Sequence, residues 1–295
     1  MKILVTGKNG QVGFELVRAR APLGEVVAVD HTECDLADAE AVRALVRRVA
    51  PDVIVNPAAY TAVDKAESDR DTAFAVNAGA PGVLGEEAAR LGALVVHYST
   101  DYVFDGAKDG SYAETDRPDP QSVYGASKYA GERALAEATP RHLILRTSWV
   151  VGAHGGNFAK TMLRLAGERE RLSVVADQFG APTSAALLAD LTAQLVRQHR
   201  REGADGFPYG TYHVTGTGET SWFEYARFVL QEALDAGKTL KAGPDAVTPL
   251  STADYPTPAR RPANSRLDTR HFSATFDLRL PPWQESIRHV LQQIF

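Results

Sequence analysis

The chain has a single cysteine, Cys34, among its 295 residues, so it cannot form an internal disulfide. A lone thiol is typical of proteins in a reducing compartment, and we expect a cytoplasmic location with Cys34 in a structural role. Long apolar runs are also missing, since no stretch approaches the ~20 residues that span a bilayer. The apolar opening at 1–5 is too short for a secretory signal. We therefore predict no membrane partner.

Clustered positive charge is absent as well. The net charge is −5 and the pI is near 5.9, whereas nonspecific binding to nucleic acid needs an excess of Lys and Arg to displace counterions. We therefore predict no nucleic-acid partner. With 44% hydrophobic residues, the chain can bury a large core, and chains of this length usually form more than one lobe.

What the sequence does have is a regular alternation of short apolar runs and helical segments. The apolar runs lie at 3–6, 26–29, 53–56, 94–98 and 143–146. This pattern predicts an α/β fold, a Rossmann-type doubly wound parallel sheet wrapped by helices. Beyond residue 150 the pattern is less regular. We place a dinucleotide-binding domain at 1–150 and a smaller, mainly substrate-binding C-terminal lobe at 151–295.

Three glycines, Gly7, Gly10 and Gly13, follow the first predicted strand at once, and a helix follows them. Glycines at such a turn allow a dinucleotide pyrophosphate to approach the positive end of a helix. The second predicted strand ends in Asp30, where a carboxylate can accept from ribose hydroxyls. The spacing differs from the usual Gly-x-Gly-x-x-Gly, which leaves an ordinary strand-turn-helix as the alternative. The order of strand, glycines, helix, strand and acid favours a dinucleotide site.

Tyr124 and Lys128 lie one turn apart on one face of a helix predicted over 123–138. A free phenol has a pKa of ~10, and a cation ~4 Å away is worth roughly 4 kcal/mol at an effective dielectric of ~20. We therefore predict that Lys128 lowers the pKa of Tyr124 and makes it a usable acid. An amphipathic helix with one tyrosine and one lysine is the alternative.

Hydroxyl side chains end the predicted strand at 94–98, where Ser99 and Thr100 are followed by Asp101. Ligands of doubly wound sheets collect beyond the carboxyl ends of strands. Thr100 could share a substrate oxygen with Tyr124, so that one donor polarises a carbonyl while the other delivers a proton. A turn or helix-capping role for Thr100 is the alternative.

With these motifs on one chain, the sequence resembles the extended short-chain dehydrogenase/reductases, and more closely the dTDP-4-dehydrorhamnose reductase family. The resemblance spans nearly the whole chain. Its most specific strings are Asp-Gln-Phe-Gly-Ala-Pro-Thr at 177–183 and Pro-Thr-Pro-Ala-Arg-Arg-Pro at 256–262, with further matches at 7–13, 56–67, 97–104, 146–150 and 157–163. In this family the chain crosses back between lobes, so we expect segments at about 172–200 and 210–214 to return to the first domain.

The resemblance implies reduction of the C4 ketone of dTDP-4-dehydro-β-L-rhamnose to dTDP-β-L-rhamnose, the last step in making a precursor of cell-surface polysaccharides such as O-antigen. Hydride would come from NADH or NADPH. Tyr124 would donate the proton, Lys128 would hold the cofactor ribose and tune the phenol, and Thr100 would hydrogen-bond the carbonyl.

Further contacts are implied by the same resemblance. Cofactor contacts, together with the glycine turn, are expected from Gly7, Gly10, Gln11, Val12, Gly13, Asp30, Asp35, Leu36, Ala59, Tyr60, Thr61, Tyr98, Tyr124 and Lys128. Sugar contacts are expected from Thr100, Asp101 and Trp149. Asp30 would repel a 2′-phosphate, which favours NADH, yet family members accept either cofactor. We predict that NADH works and leave NADPH open.

Arg260 and Arg261 lie in a proline-rich segment whose backbone is stiff. Guanidinium groups bind phosphate oxygens in a fork, so both arginines are candidates for the diphosphate of a nucleotide sugar. Solvated surface arginines are an equal alternative.

Two other functions share this fold. Sugar-nucleotide dehydratases carry Asp-Glu after the threonine, whereas here Asp101 is followed by Tyr102, which leaves no second carboxylate for elimination. A related protein is a noncatalytic subunit of a methionine adenosyltransferase. The presence of Thr100, Tyr124, Lys128 and Trp149 argues against that role, which needs no turnover.

Some family members bind Mg²⁺ between two subunits through glutamates. Glu15 matches one such position, but Ala186 stands at another. The histidines show no ligand-like clustering, and we expect His97 in the core and His154 exposed. We therefore predict no metal site, and the sequence leaves the choice between monomer and homodimer open.

Overall fold

The structure, a computed structural model, describes residues 1–295 and contains twelve β-strands and eleven α-helices. The strands are β1 Lys2–Val5, β2 Glu25–Ala28, β3 Val53–Asn56, β4 Leu94–Thr100, β5 His142–Thr147, β6 Val150–Val151, β7 Leu172–Val175, β8 Phe179–Gly180, β9 Thr183–Ser184, β10 Gly210–His213, β11 Thr220–Ser221 and β12 Val247–Leu250. The helices are α1 Gln11–Arg20, α2 Ala39–Val49, α3 Val63–Ala66, α4 Arg70–Phe74, α5 Ala80–Leu91, α6 Val123–Ala138, α7 Phe158–Glu168, α8 Ala185–Glu202, α9 Trp222–Asp235, α10 Arg270–Phe276 and α11 Trp283–Ile294. None of these helices has both the length and the apolar content needed to cross a membrane.

Six strands form one parallel sheet in the order β10-β5-β4-β3-β1-β2. All five predicted apolar runs lie in this sheet, which confirms the doubly wound α/β fold. The chain moves outward from β1 to β2 and then crosses to β3 on the other side of β1. This reversal opens a crevice at the carboxyl ends of β1 and β3, which is where ligands bind in such sheets.

Alternate residues of the strands face two separate cores, as the period of two requires. Ile3 and Val5 belong to a cluster with residues of α1, α8 and α10, whereas Leu4 faces a cluster formed with α2 and α5. Helices therefore cover both faces of the sheet, which explains why its strands are continuous apolar runs.

The smaller part of the molecule is built around a two-stranded parallel sheet of β7 and β12, on which α7 and α9 pack. The expected return of 172–200 is therefore wrong for its first residues. Leu172 and Val174 are buried against these two helices and do not join the large sheet. Helix α8 packs against α1, and β10 pairs with β5 at the edge of the large sheet. The division of the chain at residue 150 stays a prediction.

Helix α6 has the bounds that the sequence predicts. It begins after Ser122, whose hydroxyl oxygen accepts a hydrogen bond from the Gly125 amide at 3.1 Å. Its far half is tied to β5 by a buried ion pair, in which the Arg146 guanidinium donates two bonds to the Glu132 carboxylate at 2.8 and 2.6 Å. The helix that carries Tyr124 and Lys128 is thus capped at its start and tied to the sheet through its second half.

Glu132→Ala should lower the free energy of unfolding by about 3–5 kcal/mol, because it leaves the Arg146 guanidinium buried without its counter-charge. Urea titration measures this loss. The matched control is Glu137→Ala on the same helix, which removes an exposed pair with Arg133 and should cost no more than about 0.5 kcal/mol. Equal effects of the two substitutions would show that burial of the Glu132 pair does not matter.

Candidate active site

A cavity of about 920 Å³ opens at the carboxyl ends of the parallel strands. Most of the predicted site residues line it, although they come from distant parts of the chain. They are Gly7, Gly10, Gln11, Val12, Gly13, Asp30, Asp35, Leu36, Ala59, Thr61, Tyr98, Thr100, Asp101, Tyr124, Lys128 and Trp149. Tyr60, Arg260 and Arg261 are the predicted residues that do not.

The glycine turn forms one end of the cavity. A Cβ atom on Gly13 would lie 2.0 Å from the Gly7 carbonyl oxygen, so only glycine allows the turn and α1 to approach this closely. Gly10 precedes the helix and has no side-chain cap. Backbone N–H groups of the first turn are therefore available to an anionic ligand.

The Gln11 side chain links this turn to the other side of the cavity. Its amide oxygen accepts bonds from the Gly152 backbone N–H at 2.8 Å and from the Asn157 side chain at 3.0 Å. Asn157 also caps α7 through a 3.1 Å bond from the Lys160 amide. The glycine-turn end of the cavity and the smaller lobe are thus connected directly.

Asp30 follows β2 and lines the cavity. Its carboxylate accepts bonds from the Thr32 amide at 2.8 Å and the Thr32 hydroxyl at 2.6 Å, and a further bond from the Asn9 side chain. The bonds from Thr32 hold the pKa of Asp30 below its usual value, so the group is ionised at neutral pH. Cys34, for which we expected only a structural role, also lines this part of the cavity beside Asp35.

Ala59 and Thr61 line the cavity, but the side chain of Tyr60 between them turns away. The Tyr60 hydroxyl donates to Asp69 at 2.9 Å, while its backbone N–H donates to the Asn77 side chain at 2.8 Å. Asn77 lies in a π-helical turn, Ala75–Gly79, and such turns are frequent near functional sites. Tyr60 is therefore placed to shape the loop through its backbone.

Lys128 is almost fully buried at 2% exposure. Its ammonium donates to the Tyr98 carbonyl oxygen at 2.6 Å and lies 3.2 Å from His97 Nε2. Two of its three N–H groups are thus used inside the protein. Burial lowers the pKa of Lys128 to about 8, an effect that Glu132 partly opposes. His97 is buried as expected, although in a polar network, since its Nδ1 lies 3.0 Å from the Asn56 side-chain nitrogen.

The prediction that Lys128 lowers the pKa of Tyr124 does not hold in this structure. Burial and, after it, the Asp101 carboxylate raise the pKa of Tyr124 to about 12, while the Thr100 hydroxyl opposes the increase. Lys128 has no part in this balance, because with its own pKa near 8 it is neutral at the pH where the phenol titrates. Tyr124 is therefore fully protonated at neutral pH.

Thr100 and Asp101 lie directly beyond β4. The Thr100 hydroxyl donates to Asp101 Oδ1 at 2.9 Å, and its oxygen accepts from the Tyr102 amide at 3.2 Å. Burial raises the pKa of Asp101 to about 6, and its Oδ2 has no hydrogen-bond partner within the protein. In this arrangement, Thr100 can donate to a substrate oxygen only after its hydroxyl turns away from Asp101.

Arg260 and Arg261 lie outside the cavity. Arg261 donates to the Asp64 carboxylate at 2.7 Å, and Arg260 donates to the Gln121 side chain at 3.2 Å. Asp64 uses only Nη2 of Arg261, and Nη1 has no hydrogen-bond partner within the protein. The role of both arginines in diphosphate binding stays a prediction.

Trp222 lines the cavity and was not predicted from the sequence. Its ring stacks on that of Trp149. No local motif surrounds Trp222, and a tryptophan at the start of a helix would by itself be interpreted as a core residue. His154, expected to be exposed, instead stacks on Phe14 with ring centroids 4.3 Å apart.

The parallel sheet, the glycine turn and the Tyr124–Lys128 pair on one cavity define a protein of the short-chain dehydrogenase/reductase type. The family described as RmlD substrate binding domain matches residues 1–295. The dTDP-4-dehydrorhamnose reductase of Escherichia coli (strain K12) is 50% identical over 299 residues, which cover 100% of this chain and 98% of that protein. The chain therefore belongs to the dTDP-4-dehydrorhamnose reductase family.

Solved structures agree with this assignment. The dTDP-4-dehydrorhamnose reductases of Clostridium acetobutylicum and of Bacillus anthracis str. Ames, the latter in complex with NADP, are each 36% identical to this chain. Each comparison covers 99% of both chains with a TM-score of 0.90. The similarity thus extends over both lobes.

Asp30→Ala should weaken the discrimination against NADPH, because an ionised carboxylate at the ribose repels a 2′-phosphate. We expect the Kd for NADPH relative to that for NADH to fall about 10-fold, equivalent to roughly 1.4 kcal/mol of repulsion. Fluorescence titration with each cofactor measures the ratio. Glu25→Ala is the control, since it removes the same charge at the far, exposed end of β2. An unchanged ratio in Asp30→Ala would place this carboxylate away from the ribose.

Proposed function

We propose that this protein reduces the C4 ketone of dTDP-4-dehydro-β-L-rhamnose to dTDP-β-L-rhamnose, with NADH or NADPH as the hydride source. The observation that carries the proposal is the convergence of Tyr124, Lys128 and Thr100 with the glycine turn on one cavity. The full-length similarity to reductases of that name supports the choice of substrate. The single cysteine supports a cytoplasmic location.

The residues present fit a dinucleotide. The uncapped start of α1 suits the pyrophosphate, and the close packing of Gly13 leaves the turn without side chains that would block it. Asp30 suits the adenosine ribose, and the remaining N–H of Lys128 suits the ribose of the nicotinamide. A bound reduced nicotinamide supplies a hydride to the carbonyl carbon of the sugar.

Tyr124 would supply the proton for the same reduction. Its phenolic O–H bond breaks as the carbonyl oxygen gains a hydrogen, so the products are an alcohol and a phenolate, which solvent reprotonates before the next turnover. The raised pKa keeps this proton on Tyr124 until an oxygen of higher basicity forms beside it. Thr100 would orient the sugar oxygen, and Asp101, which also lines the cavity, would contact the sugar.

Tyr124→Phe should lower kcat by ~10²- to 10⁴-fold, as expected for loss of a general acid. Oxidation of NADH or NADPH in the presence of dTDP-4-dehydrorhamnose measures the rate. Tyr129→Phe is the matched control on the same helix, because that ring packs in a separate apolar cluster and should leave kcat unchanged. Near-normal turnover by Tyr124→Phe would remove this phenol from the mechanism.

The pH dependence of kcat/KM should show a decrease above about pH 8. Lys128 has a pKa lowered to about 8, so it is a cation below that pH and loses its charge above it. The loss removes both a donor to the ribose and the charge that stabilises a phenolate. Initial rates between pH 6 and 10 test this. Tyr129→Phe is the control and should show the same decrease of kcat/KM at alkaline pH. Constant activity up to pH 10 would contradict the assigned role of the ammonium.

A further inference from the structure

The wall of the cavity beyond β5 contains a pair of stacked tryptophans. The ring centroids of Trp149 and Trp222 are 3.7 Å apart and the rings are inclined by only 17°. Both residues line the cavity. Trp149 lies in the loop after β5 and Trp222 is the first residue of α9, so the pair connects two elements that are far apart in the sequence.

The backbone of Trp149 is in an uncommon conformation. Its φ angle is +49°, in the left-handed region that large side chains rarely adopt. Such a conformation persists only where surrounding contacts hold it, and it often marks a functional position. The Trp149 carbonyl oxygen accepts a hydrogen bond from the Thr183 amide at 3.2 Å. This bond holds the backbone but does not fix the orientation of the indole ring.

Two contacts set the direction of the Trp149 ring. Trp222 stacks on it, and Gly180 lies so close that a Cβ there would be 2.8 Å from ring atom Cε2. Gly180 and Trp222 are themselves fixed relative to each other, because β8 pairs with β11 in the register Gly180 to Thr220, two residues before Trp222. The Phe158 ring packs against Trp222, with ring centroids 4.6 Å apart.

We propose that Trp222 is a positioning residue for sugar binding, which holds the Trp149 indole in the orientation that presents it to the sugar of the nucleotide-sugar substrate. The inference rests on the proposed function for the identity of that substrate. Aromatic faces suit the apolar C–H surface of a deoxysugar, and a ring fixed before binding loses no freedom when the sugar arrives. Neither tryptophan is among the residues predicted to contact the cofactor.

Trp222→Ala should therefore raise KM for the nucleotide sugar while KM for the nicotinamide cofactor stays within twofold. An aromatic pair is worth a roughly 2- to 10-fold change in binding, and we expect an increase of that size. Trp222→Phe, which can still stack, should recover most of the loss. Gly180→Ala should raise the same KM from the other side, because the added methyl group displaces the Trp149 ring.

Far-UV circular dichroism, where the strong indole transitions absorb, provides a readout that does not depend on activity. The protein has three tryptophans, and only Trp149 and Trp222 are stacked on each other. Stacked indoles should give an exciton couplet that disappears in both Trp149→Phe and Trp222→Phe. Trp283 does not line the cavity, although Trp149 and Trp222 pack against its apolar cluster, so Trp283→Phe should keep the couplet and the activity.

The outcomes separate the two proposals. If the wild-type protein does not oxidise NADH or NADPH with dTDP-4-dehydrorhamnose, the proposed function fails, whatever the dichroism shows. If the wild type is active but Trp222→Ala leaves KM for the sugar unchanged, or raises both KM values equally, the positioning role is overturned. A couplet that survives in Trp222→Phe would overturn the stacked pair itself.

Discussion

The buried ammonium of Lys128 is the constraint on which the site depends. A cation with 2% exposure must be satisfied inside the protein, and here the Tyr98 carbonyl and His97 at the end of β4 satisfy it. That requirement places α6 across the carboxyl end of the sheet. Tyr124, one turn earlier on the same helical face, then reaches the cavity, while Glu132, one turn later, reaches Arg146 on β5. The proposed proton donor, the proposed cofactor contact and the buried ion pair thus lie on three successive turns of one helical face.

Features that depend only on residues close together in the sequence, such as one strand, turn and helix, could be predicted. The bounds of α6 were predicted because a helical segment is a local signal, and the structure adds that Ser122 caps its start. The glycine turn and Asp30 were predicted because strand, turn, helix and strand follow one another without interruption. Residues at strand ends were predicted to converge because parallel strands bring their carboxyl ends to one edge, and this geometry does not depend on the details of packing.

Other features depend on contacts between distant residues and could not be predicted. Trp222 reaches the cavity through the pairing of β8 with β11, which no spacing in the sequence indicates. Arg261 forms an ion pair with Asp64, 197 positions away in the chain, which no spacing in the sequence indicates. Tyr60 lies in a segment that matches the family, yet its hydroxyl donates to Asp69 and its side chain turns away from the cavity. In each case the side chain's partner, not its type, decides its direction.

The pKa of Tyr124 shows how one cause changes both members of the predicted pair. Desolvation disfavours charge, so it raises the pKa of the phenol and lowers that of Lys128. The ammonium therefore stabilises Tyr124 little while the phenol is neutral. Under the proposed mechanism, a phenolate forms as the proton leaves Tyr124, and a cationic Lys128 one turn away on the same face of α6 attracts it. An attraction that arises only as the proton moves stabilises the transition state more than the ground state, and this difference is what accelerates a reaction.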